Sequence, residues 1–188
     1  AAAIATGRPT LVAGSTWPPD EEILLPYFNR HPELKLIIAP HEVNEERLRS
    51  IEERLERPSV RYSAATPERT AEADCLIIDG YGLLSSLYRY ATLAYVGGGF
   101  GVGIHNVPEA AVYGVPVFFG PNNRRFREAR DLIEAGGGFE ITSADDFRTK
   151  AGRLLTDSQA LAKSGQAAGE YIRRHTGATD AIFREVRF

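Results

Sequence analysis

The stretch "YVGGGFGVGIHNVPEAAVYG", Tyr95–Gly114, carries an apolar run into five glycines within seven residues (97–103) and out into a segment with Pro108, Glu109 and paired alanines. Its first part reads as the end of a strand and its last part as a helix closed by Gly114, since glycine is the usual residue just past a helix end. A strand that leaves through glycines into a helix is half of the unit from which parallel sheets are wound. Working outward, the same alternation recurs along the chain. Strands are predicted at Thr10–Gly14, Leu34–Pro40, Val60–Ala64, Ala73–Asp79, Leu93–Gly98, Val115–Gly120 and Gly138–Ile141. Helices are predicted at Pro18–His31, Asn44–Leu55, Leu83–Ala91, Pro108–Gly114, Arg124–Gly136, Ala144–Leu155 and Ser158–His175, with a last one over Thr179–Val186. The strand runs are apolar on both faces, which belongs to a sheet covered by helices on each side. The expected fold is α/β: a doubly wound, parallel, Rossmann-like sheet with an all-helical C-terminus.

Composition narrows the function. A length of 188 residues and a hydrophobic share of 43% suffice for one core. The net charge of -3, with basic residues spread out, gives no nucleic-acid footprint. No apolar run approaches the roughly 20 residues of a membrane span. Cys75 is the single cysteine, which excludes a disulfide framework and a thiolate zinc site and makes it core. No methionine occurs, position 1 included, so the chain is read as part of a longer one, with residues 1–9 as a linker remnant and 10–188 as one domain.

In doubly wound sheets, ligands bind beyond the carboxyl ends of the strands, so the informative loops are those that follow strands. After the first strand, "AGSTW" (Ala13–Trp17) offers Ser15 and Thr16 hydroxyls or an ordinary capped turn. After the second, His41 stands where it can donate to a phosphate or a base. After the fourth, the glycines of "IDGYGLL" (Ile78–Leu84) allow a flat ligand edge to approach. After the fifth comes the glycine loop, whose amides at a helix N-terminus are expected to form an anion site. The dinucleotide fingerprint fails in every register, because Val102, Ile104 and Asn106 stand where its third glycine is required. A Walker A loop fails for want of a lysine. Asn106 and Glu109 have the spacing of a capping box; equally, Glu109 can accept from ribose hydroxyls while Asn106 and the glycine amides hold a phosphate. The remaining acids are assigned to helix surfaces. Arg124, Arg127 and Arg130 are read either as an attractor for an anionic ligand or as a solvated helix face, and Phe126 as the anchor of that helix.

Together these loops resemble those of the Kdo (3-deoxy-D-manno-oct-2-ulosonic acid) transferases, glycosyltransferases of the GT-B fold that act in lipopolysaccharide biosynthesis. "AGSTWPPDEE", "LIIAPHE", "IDGYGLL" and "GGGFGVGIHNVPEAAVYGVPVFFGP" resemble that family's donor loops in order, over Thr10–Leu155. The resemblance implies that this chain is the C-terminal half, which binds the donor CMP-Kdo. It also implies that a lipid A precursor is held by an N-terminal half which bears the glutamate base and touches the membrane. By position it implies Ser15 near the sugar or phosphate and His41 near the phosphate, where many members have arginine. It places Tyr81, Gly82 and Leu84 at the cytosine, Gly98, Gly99 and Asn106 at phosphate and sugar, and Glu109 at the ribose. "GYG" and "NVPE" depart from the family pattern. No catalytic residue, metal or cofactor beyond the donor substrate is expected in this half, which alone should bind CMP weakly and transfer nothing. The full-length enzyme is expected at the cytoplasmic face of the bacterial inner membrane. Two alternatives stay open: a GT-B half for a UDP- or GDP-sugar, and a non-catalytic nucleotide-binding module.

Overall fold

The computed structural model describes residues 4, 5 and 7–175. The helix predicted over Thr179–Val186 lies outside them. Seven parallel strands form one sheet: β1 (Thr10–Thr16), β2 (Lys35–Pro40), β3 (Ser59–Arg61), β4 (Cys75–Ile77), β5 (Leu93–Val96), β6 (Val117–Phe119) and β7 (Gly138–Glu140), in the order β3-β4-β2-β1-β5-β6-β7. The helices are α1 (Pro18–Asn29), α2 (Glu45–Arg54), α3 (Pro67–Glu72), α4 (Leu84–Leu87), α5 (Pro108–Ala111), α6 (Arg127–Ala135), α7 (Ala144–Thr156) and α8 (Ser158–His175). The doubly wound reading holds. The chain builds outward from β1 on one side, then returns to lay β5 on its other side. That reversal opens a crevice between the loops after β1 and β5.

Side chains alternate across the sheet as the pleat requires. Leu11 and Ala13 of β1 join Leu24 and Phe28 of α1, Ile51 of α2 and Phe147 of α7 on one face. Val12 joins Ala110 of α5, Leu132 of α6 and Tyr171 of α8 on the other. Cys75 is fully buried, and burial pushes its thiol pKa up.

Several boundaries move, each for a local reason. The helix predicted from Arg124 begins at Arg127, because Phe126 is extended (φ -103°, ψ 101°). The helix predicted over Leu83–Ala91 is one turn of α-helix followed by a 3-10 turn at Tyr88–Tyr90. The weak strand at Val60–Ala64 keeps only Ser59–Arg61 and continues as a 3-10 turn. Helix α3 was not anticipated; Thr66 caps it by accepting from the Arg69 amide (3.3 Å). Within residues 1–9, read as a linker remnant, Ile4 is 1% exposed and lies in the core.

Arg8 also binds that segment down, at the end of the sheet away from the crevice. It pairs with Asp74 (2.9 Å), which also meets Lys35 (2.8 Å) and Arg57 (3.0 Å). Burial opposes the charge on Asp74, but these cations outweigh it and hold its carboxyl below the usual range. Arg57 further donates to the carbonyls of Phe28 (2.9 Å), His31 (2.8 Å), Pro32 (3.1 Å) and Leu34 (2.9 Å) and lies 4.0 Å over the Phe28 ring. It thereby ties the last turn of α1 to the segment that leads into β2. Arg57→Ala is expected to cost about 3 kcal/mol in urea denaturation, because four carbonyls and one carboxylate each lose one charged donor together. Arg57→Lys should recover less than half, since an ammonium cannot span those acceptors.

Candidate functional site

The crevice is lined by the exits of β1, β2, β4 and β5. The register that sets Gly14 beside Val96 and Thr16 beside Pro40 brings these exits level. Between Gly14 and Thr16 the pairing shifts, and Ser15 takes φ +52°, a left-handed conformation uncommon for a residue with a side chain. His41 follows β2, tied by its amide to the Thr16 carbonyl (2.9 Å). Its ring stacks on Trp17 (4.6 Å) and on His105 of the glycine loop (4.4 Å). The Trp17 indole Nε1 donates to His105 Nε2 (3.2 Å). Tyr81, 76% exposed, accepts at its hydroxyl from the Val43 amide (3.3 Å), just beyond His41. Three of the four loops singled out in the sequence therefore meet at His41, and the loop after β4 meets the same segment through Tyr81.

The glycines need a different account from the one expected. A Cβ at Gly97 would stand 2.2 Å from the Ser15 carbonyl oxygen, and one at Gly99 would stand 2.5 Å from the Gly120 nitrogen. The backbone that approaches so closely is the protein's own. Gly98 has φ +93° and Gly103 φ +112°, which glycine alone adopts without strain. The expected amide cradle is largely spent within the loop. The Gly101 and Gly103 amides donate to the Gly98 carbonyl (both 3.0 Å), the Gly97 amide to Gly14 (2.9 Å) and the His105 amide to Gly97 (3.2 Å). The helix behind the loop, α5, has only four residues, too short for much of a dipole.

The Gly98 amide donates to Asp20 Oδ2 (2.9 Å), which also accepts from the Trp17 amide (2.9 Å); Asp20 Oδ1 accepts from the Tyr95 hydroxyl (2.7 Å). Asp20 and Glu21 are both fully buried, so their assignment to a helix surface is corrected. Glu21 takes a hydrogen bond from Thr16 Oγ1 (2.9 Å) and an ion pair from Arg47. Burial pushes its carboxyl pKa up, with Arg47 and Thr16 opposing. A signal for this burial lies in the sequence, where Asp20 and Glu21 sit directly between Pro18–Pro19 and an apolar run. Trp17 and His105, an aromatic and a second imidazole in loops already chosen for binding, are visible there too.

Other expected residues fall as follows. Asn106 does not cap α5: the residue before it is Val107, in helical conformation, with no side-chain cap. Instead Asn106 Nδ2 donates to Glu109 Oε1 (2.8 Å). This corrects the capping-box reading while keeping the two side chains together beside His105. Gly82, at φ +82°, has open space around it, whereas the methyls of Leu84 lie over Gly14, so part of Leu84 packs against the sheet. Arg127 pairs with Asp131 (3.4 Å) and is 80% exposed at its side chain, a solvated face. Phe126 packs against the core and against Gly103. Among the described residues, no cluster of three His, Cys, Asp or Glu is placed to hold a metal ion. No described helix is long and apolar enough to cross a membrane.

This fold is one half of a GT-B glycosyltransferase. It superposes on the C-terminal CMP-Kdo binding domain of WaaA from Acinetobacter baumannii with a TM-score of 0.77 at 24% identity, over 90% of this chain and 92% of that one. It also superposes on HepE from Anabaena, in complex with UDP-glucose, at 0.67 and 15% identity, over 90% of this chain and 45% of that one. At such identities these structures speak to the fold. By sequence the chain belongs to the family of 3-deoxy-D-manno-octulosonic acid (Kdo) transferases. It is 29% identical to the enzyme from Aquifex aeolicus over 174 residues, 87% of this chain and 48% of that one. It is 36% identical to that from Chlamydophila psittaci over 133 residues, 68% of this chain and 30% of that one. The chain thus spans half or less of these relatives' length. No family model matches it.

Two outcomes test this geometry. Gly97→Ala should lose about 3 kcal/mol of stability, since backbone on both sides blocks a methyl. Gly101→Ala, with open space around it, should gain roughly 0.5 kcal/mol by restricting the unfolded chain. Urea midpoints report both. The second concerns His105, whose pKa burial and then His41 hold below the ordinary 6.5, with Asp20 opposing. The folded state binds that proton more weakly than the unfolded chain. Stability from this site is therefore complete above pH 6.5 and falls as pH drops below it toward the folded pKa. His105→Gln, which keeps an acceptor for Trp17, should show a shallower loss of urea midpoint between about pH 7 and pH 5 than the parent.

Proposed function

We propose that this chain is the donor-binding half of a Kdo transferase and that CMP-Kdo lies in the crevice between the β1 and β5 loops. The observation that carries this reading is the meeting of His41, His105 and Trp17, drawn from three separate strand exits, beside Ser15, Asn106 and Glu109. Its kinship with the Kdo transferases supplies the substrate class.

The role of each residue follows from what it has left to offer. With most glycine amides engaged inside the loop, the donor's phosphate is met by side chains: the exposed His41, the Ser15 hydroxyl and the second N–H of Asn106. Gly98 and Gly99 shape the floor and let those side chains approach. Glu109 has one oxygen on Asn106 and the other available for a ribose hydroxyl. Tyr81 and Gly82, beyond His41, border the place for the cytosine, with Leu84 beneath.

In the proposed reaction an acceptor hydroxyl on a lipid A precursor attacks the anomeric carbon of Kdo, with inversion. The bond from that carbon to the CMP phosphate breaks, and negative charge grows on the departing phosphate. Fixed donors aimed at a developing charge are typically worth ~3 kcal/mol each. The acceptor, the base and the contact with the inner membrane's cytoplasmic face belong in this reading to an N-terminal half. The nucleotide sugar is the only small molecule the reading requires.

Titration of the chain with CMP, UMP and GMP tests the reading. CMP should bind at least tenfold more tightly than the others. Equal binding, or preference for UMP or GMP, would point instead to the UDP- or GDP-sugar alternative. Glu109→Gln retains an acceptor for Asn106 but removes the charge facing the ribose, and should weaken CMP by ~1.5–3 kcal/mol. Unchanged CMP affinity in this variant would reduce Glu109 to holding Asn106.

A further inference from the structure

We propose that a second site, apart from the crevice, binds a single-chain acyl carboxylate. It is a groove of about 330 Å³ at the β7 edge of the sheet, between α6, α7 and α8. Its walls are the ring of Phe139 and the side chains of Leu154, Ala160 and Ala167. Its charged groups are Lys150, Arg153 and Lys163, and no carboxylate lines it.

The three cations are not equivalent. Lys150 is spent on Asp146 (2.9 Å) and on the Glu140 carbonyl (2.7 Å). Among the described residues, the guanidinium of Arg153 and the ammonium of Lys163 have neither an ion pair nor a hydrogen bond. The hydroxyl of Ser164, a residue 9% exposed at the groove, likewise has no partner. An apolar wall bordered by unneutralised positive charge and a spare hydroxyl fits a ligand with an apolar body and an anionic end. The arginine fork suits a carboxylate, which it can grip with two parallel hydrogen bonds. A groove of about 330 Å³ has room for one medium-length chain. The site would be filled independently of the nucleotide.

Decanoate below its aggregation concentration is the probe, titrated calorimetrically into the 188-residue chain. It should bind one to one, and at least tenfold more weakly to the double variant Arg153→Glu, Lys163→Glu, both exposed positions where folding should be kept. Decyltrimethylammonium, with the same tail and the opposite charge, should not bind. Ala160→Trp, which fills the groove, should abolish decanoate binding while circular dichroism and CMP affinity stay as in the parent. Absence of decanoate binding would overturn the proposal, as would equal binding of the cationic analogue or indifference to charge reversal. If vesicles of phosphatidylglycerol bind where decanoate does not, the face is a membrane contact and the proposal falls. It falls too if the chain self-associates and charge reversal separates the copies, since a second copy would then be the occupant.

Discussion

The upper end of this molecule hangs on one buried carboxylate. Asp20 is fully enclosed and has no cation beside it; three neutral donors, from Trp17, Gly98 and Tyr95, hold its charge. Those donors belong to the cap of α1, the glycine loop and β5. A charge removed from water is tolerable only if its oxygens are fully engaged, and each donor lost would leave part of it exposed to a low-dielectric interior. The three segments are therefore bound to stay together. The Trp17 and Gly98 bonds tie the cap of α1 to the glycine loop, so the ring cluster of Trp17, His41 and His105 inherits its position from a buried group outside the crevice.

The two ends of the sheet solve opposite problems. At the starts of β2 and β4, Asp74 is surrounded by Arg8, Lys35 and Arg57, and the groups there are saturated with one another. Such a cluster closes the domain and leaves nothing over for a ligand. At the strand exits the side chains are only half engaged: Asn106 has one N–H to spare, His41 is exposed, and Ser15 is held in a conformation that few side chains adopt. Unspent polar groups over a rigid base are what a binding site requires.

The fold was legible because its signals are periodic. Apolar runs bounded by glycine and proline, separated by amphipathic segments, leave little choice of sheet type, and Asn44 and Ser143 cap their helices as short polar residues do. The meeting of the candidate loops was legible, but not which of their groups stay free. That the loops after β1, β2, β4 and β5 converge follows from the parallel topology alone. Which groups remain free there does not, because local hydrogen bonds decide it. Glycine spacing cannot reveal that Gly97 and Gly99 are small to let Ser15 and Gly120 pass. Nor can an acidic pair next to two prolines announce that it turns inward. The distinction between glycine that admits a ligand and glycine that admits backbone appears only when the neighbouring strand is in view.

Cys75 gives the chain an internal clock. It is the single thiol, fully buried on β4 between β2 and the edge strand β3, and its acidity is suppressed by the same burial. A thiol-directed reagent needs both access and the thiolate. Fraying of a loop at the crevice, or departure of α8, supplies neither, because the residue is covered by α1 and α2 and flanked by paired strands. Labelling can proceed only when strands or helices leave β4. The rate at which this cysteine reacts therefore counts openings of the β3-β4-β2 side of the sheet, apart from the smaller motions that accompany ligand exchange.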